Sequence, residues 1–340
     1  MQISEYVSLG HPDKVADYIS SYLLDQYIKK DKYTRYAVEC QIKGNVVNLA
    51  GEITSKAKFT KKQIANFVKA AVNQIGYTKH YQRAWGKENT ICGADLKVNT
   101  YISEQSTDIA HGLDGWGDQG IFFGCAYPRK DYDYLEGTQY LSKIIGEELY
   151  KENVVGKDIK VLVVKKGKNL SKVIVAAPIN TVKQLAKSKV LKDVKAICDD
   201  AKCPLIINGT GLYRKPGPLA DSGTTGRKLA VDFYGGSCRI GGGSPWTKDG
   251  TKADLTLNLY ARYLALKFLK EHKLNEPVFC DIACCIGQRE IDICLHDANG
   301  VVFQQYSENK KPHDLIKFFH LDKPIYAKLC REGLFSEVRG

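Results

Sequence analysis

The run Tyr36-Ala37-Val38-Glu39-Cys40-Gln41-Ile42, then Lys43-Gly44 and a second apolar stretch over residues 45–50, decides the fold class. Short β-branched and aromatic runs on either side of a turn pair read as two hairpin strands. Upstream, Ile19, Leu23, Leu24, Tyr27 and Ile28 have helical spacing over residues 17–31. Downstream, Ile64, Phe67, Val68, Ala71 and Val72 give the same period over residues 61–75. The local order is therefore helix, strand, strand, helix. The middle third repeats the mix: a helix over 139–151, strands over 159–164 and 172–177 across a polar turn at 165–171, and helix over 182–198. The last third has an amphipathic helix over 254–272, strands over 278–284 and 290–296, and a short closing helix over 311–319. Grouped strands and helices, without regular β-α-β alternation, predict an α+β fold over a Rossmann sheet.

A chain of 340 residues suits two or three domains. Its 44% hydrophobic and 26% charged residues are ordinary for a globular protein. A formal charge of +12 favours anionic partners without choosing among them, and short lysine runs such as Lys61-Lys62 and Lys310-Lys311 read as solvated surface. No basic stretch interleaved with aromatics supports nucleic-acid binding. No apolar run reaches the roughly 18 residues of a membrane span. Eleven scattered cysteines form no CxxC pair, and MQISEYVSLGHPDK carries no secretory apolar stretch, so a cytoplasmic setting with free thiols is expected.

Four segments have the composition of a phosphate and metal site. Gly10-His11-Pro12-Asp13-Lys14 precedes the first helix, where free backbone N–H groups meet anions. Lys14 adds a point charge, Asp13 can ligate Mg²⁺ and His11 can donate a hydrogen bond. Alone, the segment also reads as a capped helix start. Asp221-Ser222-Gly223-Thr224-Thr225-Gly226-Arg227-Lys228 pairs small residues with two cations but lacks Walker spacing. A third runs from Gly241-Gly242-Gly243 to Lys248, Lys252 and Asp254. The fourth, Gly117-Asp118-Gln119-Gly120 with Gln105-Ser106-Thr107-Asp108 before it, also fits plain turns. Residues 209–250 are rich in Gly, Pro, Ser and Thr, and so long an irregular stretch usually binds something. Lys14, Lys160, Arg227, Lys228, Lys248 and Lys252 together suit a phosphate chain with Mg²⁺.

With these segments in hand, the chain resembles the S-adenosylmethionine synthase (methionine adenosyltransferase) family. The matches are GHPDK from Gly10, GEIT from Gly51, QSTDI from Gln105, GDQG from Gly117, DIK from Asp158 and NGTG from Asn208. DSGTTGRK from Asp221, VDFYGG from Val231, TKDGTKAD from Thr247 and KPIY from Lys323 continue them in family order. The resemblance implies three similar β-sheet-plus-helix domains about a pseudo-threefold axis, expected near 1–108, 115–214 and 215–340. It implies attack of the methionine sulfur on the ribose 5′ carbon of ATP, release of tripolyphosphate, and its hydrolysis to pyrophosphate and phosphate. His11 is expected on the leaving oxygen. Lys14, Lys160, Arg227, Lys228, Lys248 and Lys252 are expected on ATP or its phosphates, with Asp118, Asp158 and Tyr213 on the nucleoside side. Glu52, Gln105, Asp221 and Lys252 are expected to hold methionine. Asp13 and Asp254 are expected to bind two Mg²⁺ per site, and Glu39 a K⁺. A homodimer with sites at the subunit interface is implied, and a tetramer is compatible with it. A non-catalytic nucleotide-binding relative, acting as a partner subunit, is the alternative reading.

The chain also departs from the family pattern. Residues 108–118 are shorter than the usual lid, and the C-terminal part is abbreviated. Leu9 replaces a glutamate, Leu212 an arginine, Ile240 a histidine and Leu255 an arginine.

Overall fold

A computed structural model of the chain describes residues 1–104 and 115–338. In chain order it begins with β1 (Gln2–Val7), α1 (Pro12–Ile28), β2 (Arg35–Lys43), β3 (Val46–Thr54), α2 (Lys61–Ile75), α3 (Lys79–Trp85) and β4 (Lys97–Ser103). Then come β5 (Gly120–Ala126), α4 (Gly137–Glu152), β6 (Lys160–Lys166), β7 (Asn169–Ala176), α5 (Lys189–Asp200) and β8 (Leu205–Ile207). The last part holds β9 (Gly223–Thr224), α6 (Leu229–Asp232), α7 (Ala253–Glu271), β10 (Val278–Cys284), β11 (Glu290–His296), β12 (Val302–Asn309), α8 (Pro312–Phe318) and α9 (Tyr326–Glu332).

These strands make three four-stranded sheets, ordered β1-β6-β7-β8, β4-β3-β2-β9 and β12-β11-β10-β5. Helices pack on each: α4 on β1 and β6, α1 on β2, and α7 on β5 and β10. This is the α+β arrangement of three sheet-plus-helix units that the resemblance implied. Each sheet combines a strand from one part of the chain with strands from another, as β1 does with β6 to β8.

The hairpin that opened the reading is present, with Val38 opposite Gly51 and Lys43 opposite Val46. Its second strand runs further than residue 50 because GEIT continues the pairing with β2 as far as Thr54 opposite Arg35, while Gly51 and Glu52 also pair on the other side with parallel β4. Helix α1 begins five residues earlier than its apolar spacing suggests. Pro12 suits a first turn, and the His11 side chain caps it by accepting from Asp13 N–H at 3.2 Å. Helix α2 has its expected bounds, set by a Thr60/Gln63 capping box and by Gly76 in the left-handed region. The expected helix over 182–198 splits into a 3-10 turn at Val182–Lys187 and α5, which Ser188 caps. The helix over 311–319 is not the closing one, because α9 follows it.

The largest core cluster surrounds α1, whose Val15, Ile19, Leu23 and Leu24 are fully buried. Each such side chain contributes roughly 1.5–3 kcal/mol by leaving water. A second cluster, including Leu149, Val161 and Val175, lies under the β6–β7 pair. Burying α1 fixes its N-terminus against β9: a Cβ on Gly223 would lie 2.0 Å from the Pro12 carbonyl oxygen. The first phosphate-like loop is thereby held against the second.

Candidate active site

Asp13 joins these two loops. Its carboxylate accepts from Thr224 N–H at 2.9 Å and from Lys228 Nζ at 2.6 Å, with Arg227 Nε 3.7 Å away. Burial pushes its carboxyl up, but the Lys228 and Thr224 hydrogen bonds and the Lys228 charge outweigh this and hold it below the usual range. Lys14 points elsewhere. Its buried ammonium lies 2.6 Å from Asp232, 3.1 Å from Asp17 and 4.5 Å from the centre of the Trp246 ring. Asp17 in turn accepts from Gly226 N–H at 2.9 Å, and Asp232 accepts from the Trp246 indole N–H at 2.7 Å. Lys14 is thus the centre of a buried network that ties α1 to the loop carrying Arg227 and Lys228.

His11 is buried beside these charges. Burial first, then the nearby Lys228 and Lys160, bring its imidazole down to about 3, so it is neutral near pH 7. Because Nδ1 accepts from Asp13 N–H, the ring proton is assigned to Nε2, which can donate to an oxygen. Asp158, just before β6, accepts from Gly217 N–H at 2.8 Å and from the Tyr213 hydroxyl. Its other carboxylate oxygen is buried without a hydrogen-bond partner among the described residues. Lys160 opens β6 opposite Val7, so the β1–β6 pair sets it close to the loop at Gly10. Asp221 is exposed and accepts from Ser222 N–H at 2.7 Å. The exposed Glu39 accepts from the Thr225 hydroxyl.

A second carboxylate–lysine pair forms at the start of α7. Asp254 accepts from Gly243 N–H, and its other oxygen lies 2.8 Å from Lys248 Nζ. Lys248 also bridges Ala37 of β2, the residue opposite Glu52 on β3. On β2, Gln41 pairs with Thr224 and Ala37 with Lys248, so the two anchor points are four residues, roughly 13 Å, apart. Lys252 is the N-cap residue of α7. Asp118 lies exposed before β5, its carboxylate accepting from Gln119 N–H at 2.8 Å. Gln105 and most of the short lid lie outside the described residues.

The departures follow burial. Leu255 is 1% exposed within the α7 core, where an arginine would be a poor fit, while Leu212 and Ile240 are 45% and 38% exposed. Leu9 is buried. Sequence reasoning missed Asp17, Asp232 and Trp246. Asp17 stands three residues after Lys14, and Asp232 lies inside the quoted VDFYGG, but nothing local shows that they converge on one ammonium.

No three His, Cys, Asp or Glu side chains gather into a metal cage among the described residues. Asp13 and Asp254 stand instead as single carboxylates. That donor set fits Mg²⁺, which is usually held by one or two carboxylates with substrate phosphates and water completing the shell.

Two glycine-rich loops, two carboxylate–lysine pairs and a neutral histidine make a candidate site for a phosphate-bearing substrate. Comparison with known proteins makes the class specific. Residues 1–107 match the family model for the S-adenosylmethionine synthetase N-terminal domain, and residues 216–339 the model for its C-terminal domain. The S-adenosylmethionine synthase of Pelagibacter ubique is 32% identical, with 98% of this chain and 92% of that protein covered. That of Acholeplasma laidlawii is 31% identical, with 98% and 94% covered. A solved S-adenosylmethionine synthetase from Campylobacter jejuni, described as unusual, superposes with a TM-score of 0.83 at 28% identity, covering 98% of this chain and 94% of that one. The chain belongs to the S-adenosylmethionine synthase family. It is an enzyme that makes S-adenosylmethionine, with ATP and methionine the substrates that membership implies.

Proposed function

We propose that the chain joins methionine to ATP by attack of the thioether sulfur on the ribose 5′ carbon, releasing tripolyphosphate, which the same site then hydrolyses to pyrophosphate and phosphate. The observation that carries this reading is the ready-made Asp13–Lys228 ion pair beside a neutral His11, with a second such pair, Asp254–Lys248, at the start of α7. A thioether needs no base, so the protein's task is alignment and stabilisation of charge on the leaving group. Lys228, Arg227, Lys160, Lys248 and Lys252 hold the phosphate oxygens. His11 donates its Nε2 proton in a hydrogen bond to the oxygen that leaves the 5′ carbon.

Asp13 and Asp254 are the carboxylates proposed for Mg²⁺, and Glu39 the one for K⁺. Mg²⁺, when bound, supplies positive charge to the phosphate oxygens. Asp13 and Asp254 would hold the metal once phosphate oxygens had taken over Lys228 and Lys248 as partners, so that no charge would be left alone. Lys14, closed in by Asp17 and Asp232, is proposed as a positioning residue for the loop rather than a direct phosphate contact. The unpartnered oxygen of Asp158 and the Tyr213 ring are proposed as nucleoside contacts, and Asp118 is proposed for the nucleoside as well. Asp221, Glu52, Gln105 and Lys252 are proposed for methionine.

The functional unit proposed is a homodimer with sites at the interface. Exposed Ile3 and Ile206 on one sheet, Tyr101 on the second, and Ile121 and Val302 on the third support it. No described helix is long and apolar enough to cross a membrane. The test is direct: purified protein with ATP, L-methionine, Mg²⁺ and K⁺ forms S-adenosylmethionine, and ATP breakdown depends on methionine. Protein that binds nucleotide yet forms none would support the non-catalytic alternative.

A further inference from the structure

The turn after α2 places Tyr77 behind the candidate site. Its ring is fully buried, in edge contact with Tyr81 at 5.6 Å, and Tyr81 stacks in turn on Trp85 at 5.4 Å. A phenylalanine would fill that space equally well, so the hydroxyl is the part that needs a reason. It donates to the Gly10 carbonyl at 2.7 Å. Burial, and after it the Asp158 carboxylate, push the phenol well above its usual range, so it stays a donor near pH 7. The acceptor belongs to the peptide unit that joins Gly10 to His11. The N–H of that same unit donates to the Ser8 carbonyl at 3.0 Å. A planar unit held at both its oxygen and its nitrogen resists rotation, which fixes the backbone from which the His11 ring projects. On its other side the hydroxyl faces Gly217, where a Cβ would lie 2.3 Å from the Tyr77 oxygen and 3.5 Å from that of Gly10. Gly217 donates its N–H to Asp158 at 2.8 Å. One buried oxygen thus stands between the loop carrying His11 and the turn that orients Asp158.

We propose that Tyr77 is a positioning residue for adenosyl transfer: its hydroxyl holds the Gly10–His11 peptide, and through it the imidazole, in register with Asp158. Tyr77 itself touches no substrate. Its effect comes through His11, because a misplacement of about 1 Å in a reacting arrangement can cost roughly 10²-fold in rate. The step it serves is the one in which the bond from the ribose 5′ carbon to oxygen breaks, with its electron pair leaving on the oxygen that His11 faces. Hydrolysis of tripolyphosphate breaks a phosphorus–oxygen bond instead, and no oxygen leaves the 5′ carbon. The two reactions should therefore depend on Tyr77 unequally. The inference rests on the proposed synthase reading and adds to it a residue that contacts neither ATP nor methionine.

The test compares full-length wild-type protein with Tyr77→Phe, His11→Ala and the double variant. S-adenosylmethionine formation and hydrolysis of added tripolyphosphate are measured on the same samples. Tyr77→Phe should form S-adenosylmethionine about 10- to 100-fold more slowly at saturating substrates, with tripolyphosphate hydrolysis within about twofold of wild type. In the His11→Ala background the same substitution should cost no more than about twofold, because residues that act through one another are not additive. A merely structural tyrosine would lower both reactions together and would slow the His11→Ala protein as much as the wild type. The ratio of transfer to hydrolysis is internal to each sample, so a variant that is partly unfolded still gives it. An unchanged ratio in Tyr77→Phe, or a full additional loss in the double variant, overturns the proposal. Wild-type protein that forms no S-adenosylmethionine overturns the synthase reading and this inference with it. Active wild-type protein beside an unimpaired Tyr77→Phe overturns the inference alone.

Discussion

Lys228 and Lys14 are neighbours in the site with opposite surroundings, and substitution should separate their roles. Lys228 is partly exposed and paired with Asp13 at one carboxylate oxygen. Lys228→Ala should fold and lower kcat by about 10²–10³-fold, the usual cost of losing one charge-stabilising donor. Steady-state kinetics beside a melting curve checks this. Lys14→Ala leaves the buried Asp17 and Asp232 without their shared cation. Removing one partner of a buried ion pair costs about 3–5 kcal/mol, so urea unfolding should shift strongly even with substrates absent. An unshifted midpoint would show that the Lys14 network does not hold the loop together. The cations themselves were legible in the sequence, since Gly-rich segments with Lys and Arg have few other readings in combination. Their division into solvent-accessible and buried groups was not. It depends on Asp232 and Trp246, more than 200 positions beyond Lys14, which only the folded chain brings near.

Among the elements, α1 has the most to support. At its far end Asp25 accepts from the backbone N–H groups of Tyr326 at 2.9 Å and Ala327 at 3.0 Å, tying the first helix to α9. Burial pushes the Asp25 carboxyl up to about 6, although both N–H bonds oppose the shift. A raised folded value means that the native state holds the proton more tightly than the unfolded chain. The resulting stabilisation is complete below about pH 4 and is lost as pH rises through about 6. Chemical denaturation from pH 4 to 7 should therefore show wild-type stability falling relative to Asp25→Asn across that window. A parallel profile for the two proteins would refute the assignment. At pH 7 the asparagine should itself cost about 1–3 kcal/mol, because its amide cannot accept from the second N–H. Elements with strong periodicity, such as α2, β10 and β11, were legible to their ends. β4 was not: Lys97, Asn99 and Ser103 break its apolar signal, and its place depends on parallel pairing with β3. β9 is two residues long and has no sequence signal of its own, yet it carries the backbone N–H that Asp13 accepts.

For the whole molecule, the α+β class followed from the grouping of strands and helices, whereas the sheets' long-range pairing did not. β1 joins β6 and β5 joins β10, across separations that local patterns cannot encode. The proposed homodimer belongs to this scale. Tyr101 is 69% exposed and Ile121 58%, on different sheets. Tyr101→Asp with Ile121→Asp should halve the sedimenting mass and abolish turnover while keeping the far-ultraviolet circular dichroism. A monomeric wild-type protein with full activity would remove the shared-site proposal. The central claim is that the cations around His11 and Asp13 stabilise an intact triphosphate as it leaves the 5′ carbon. A rapid-quench single turnover with enzyme in excess of radiolabelled ATP, in the presence of methionine, Mg²⁺ and K⁺, tests it most directly. S-adenosylmethionine and tripolyphosphate should appear together, with pyrophosphate and phosphate following. Pyrophosphate or ADP formed first, or at the same rate without methionine, would contradict the account.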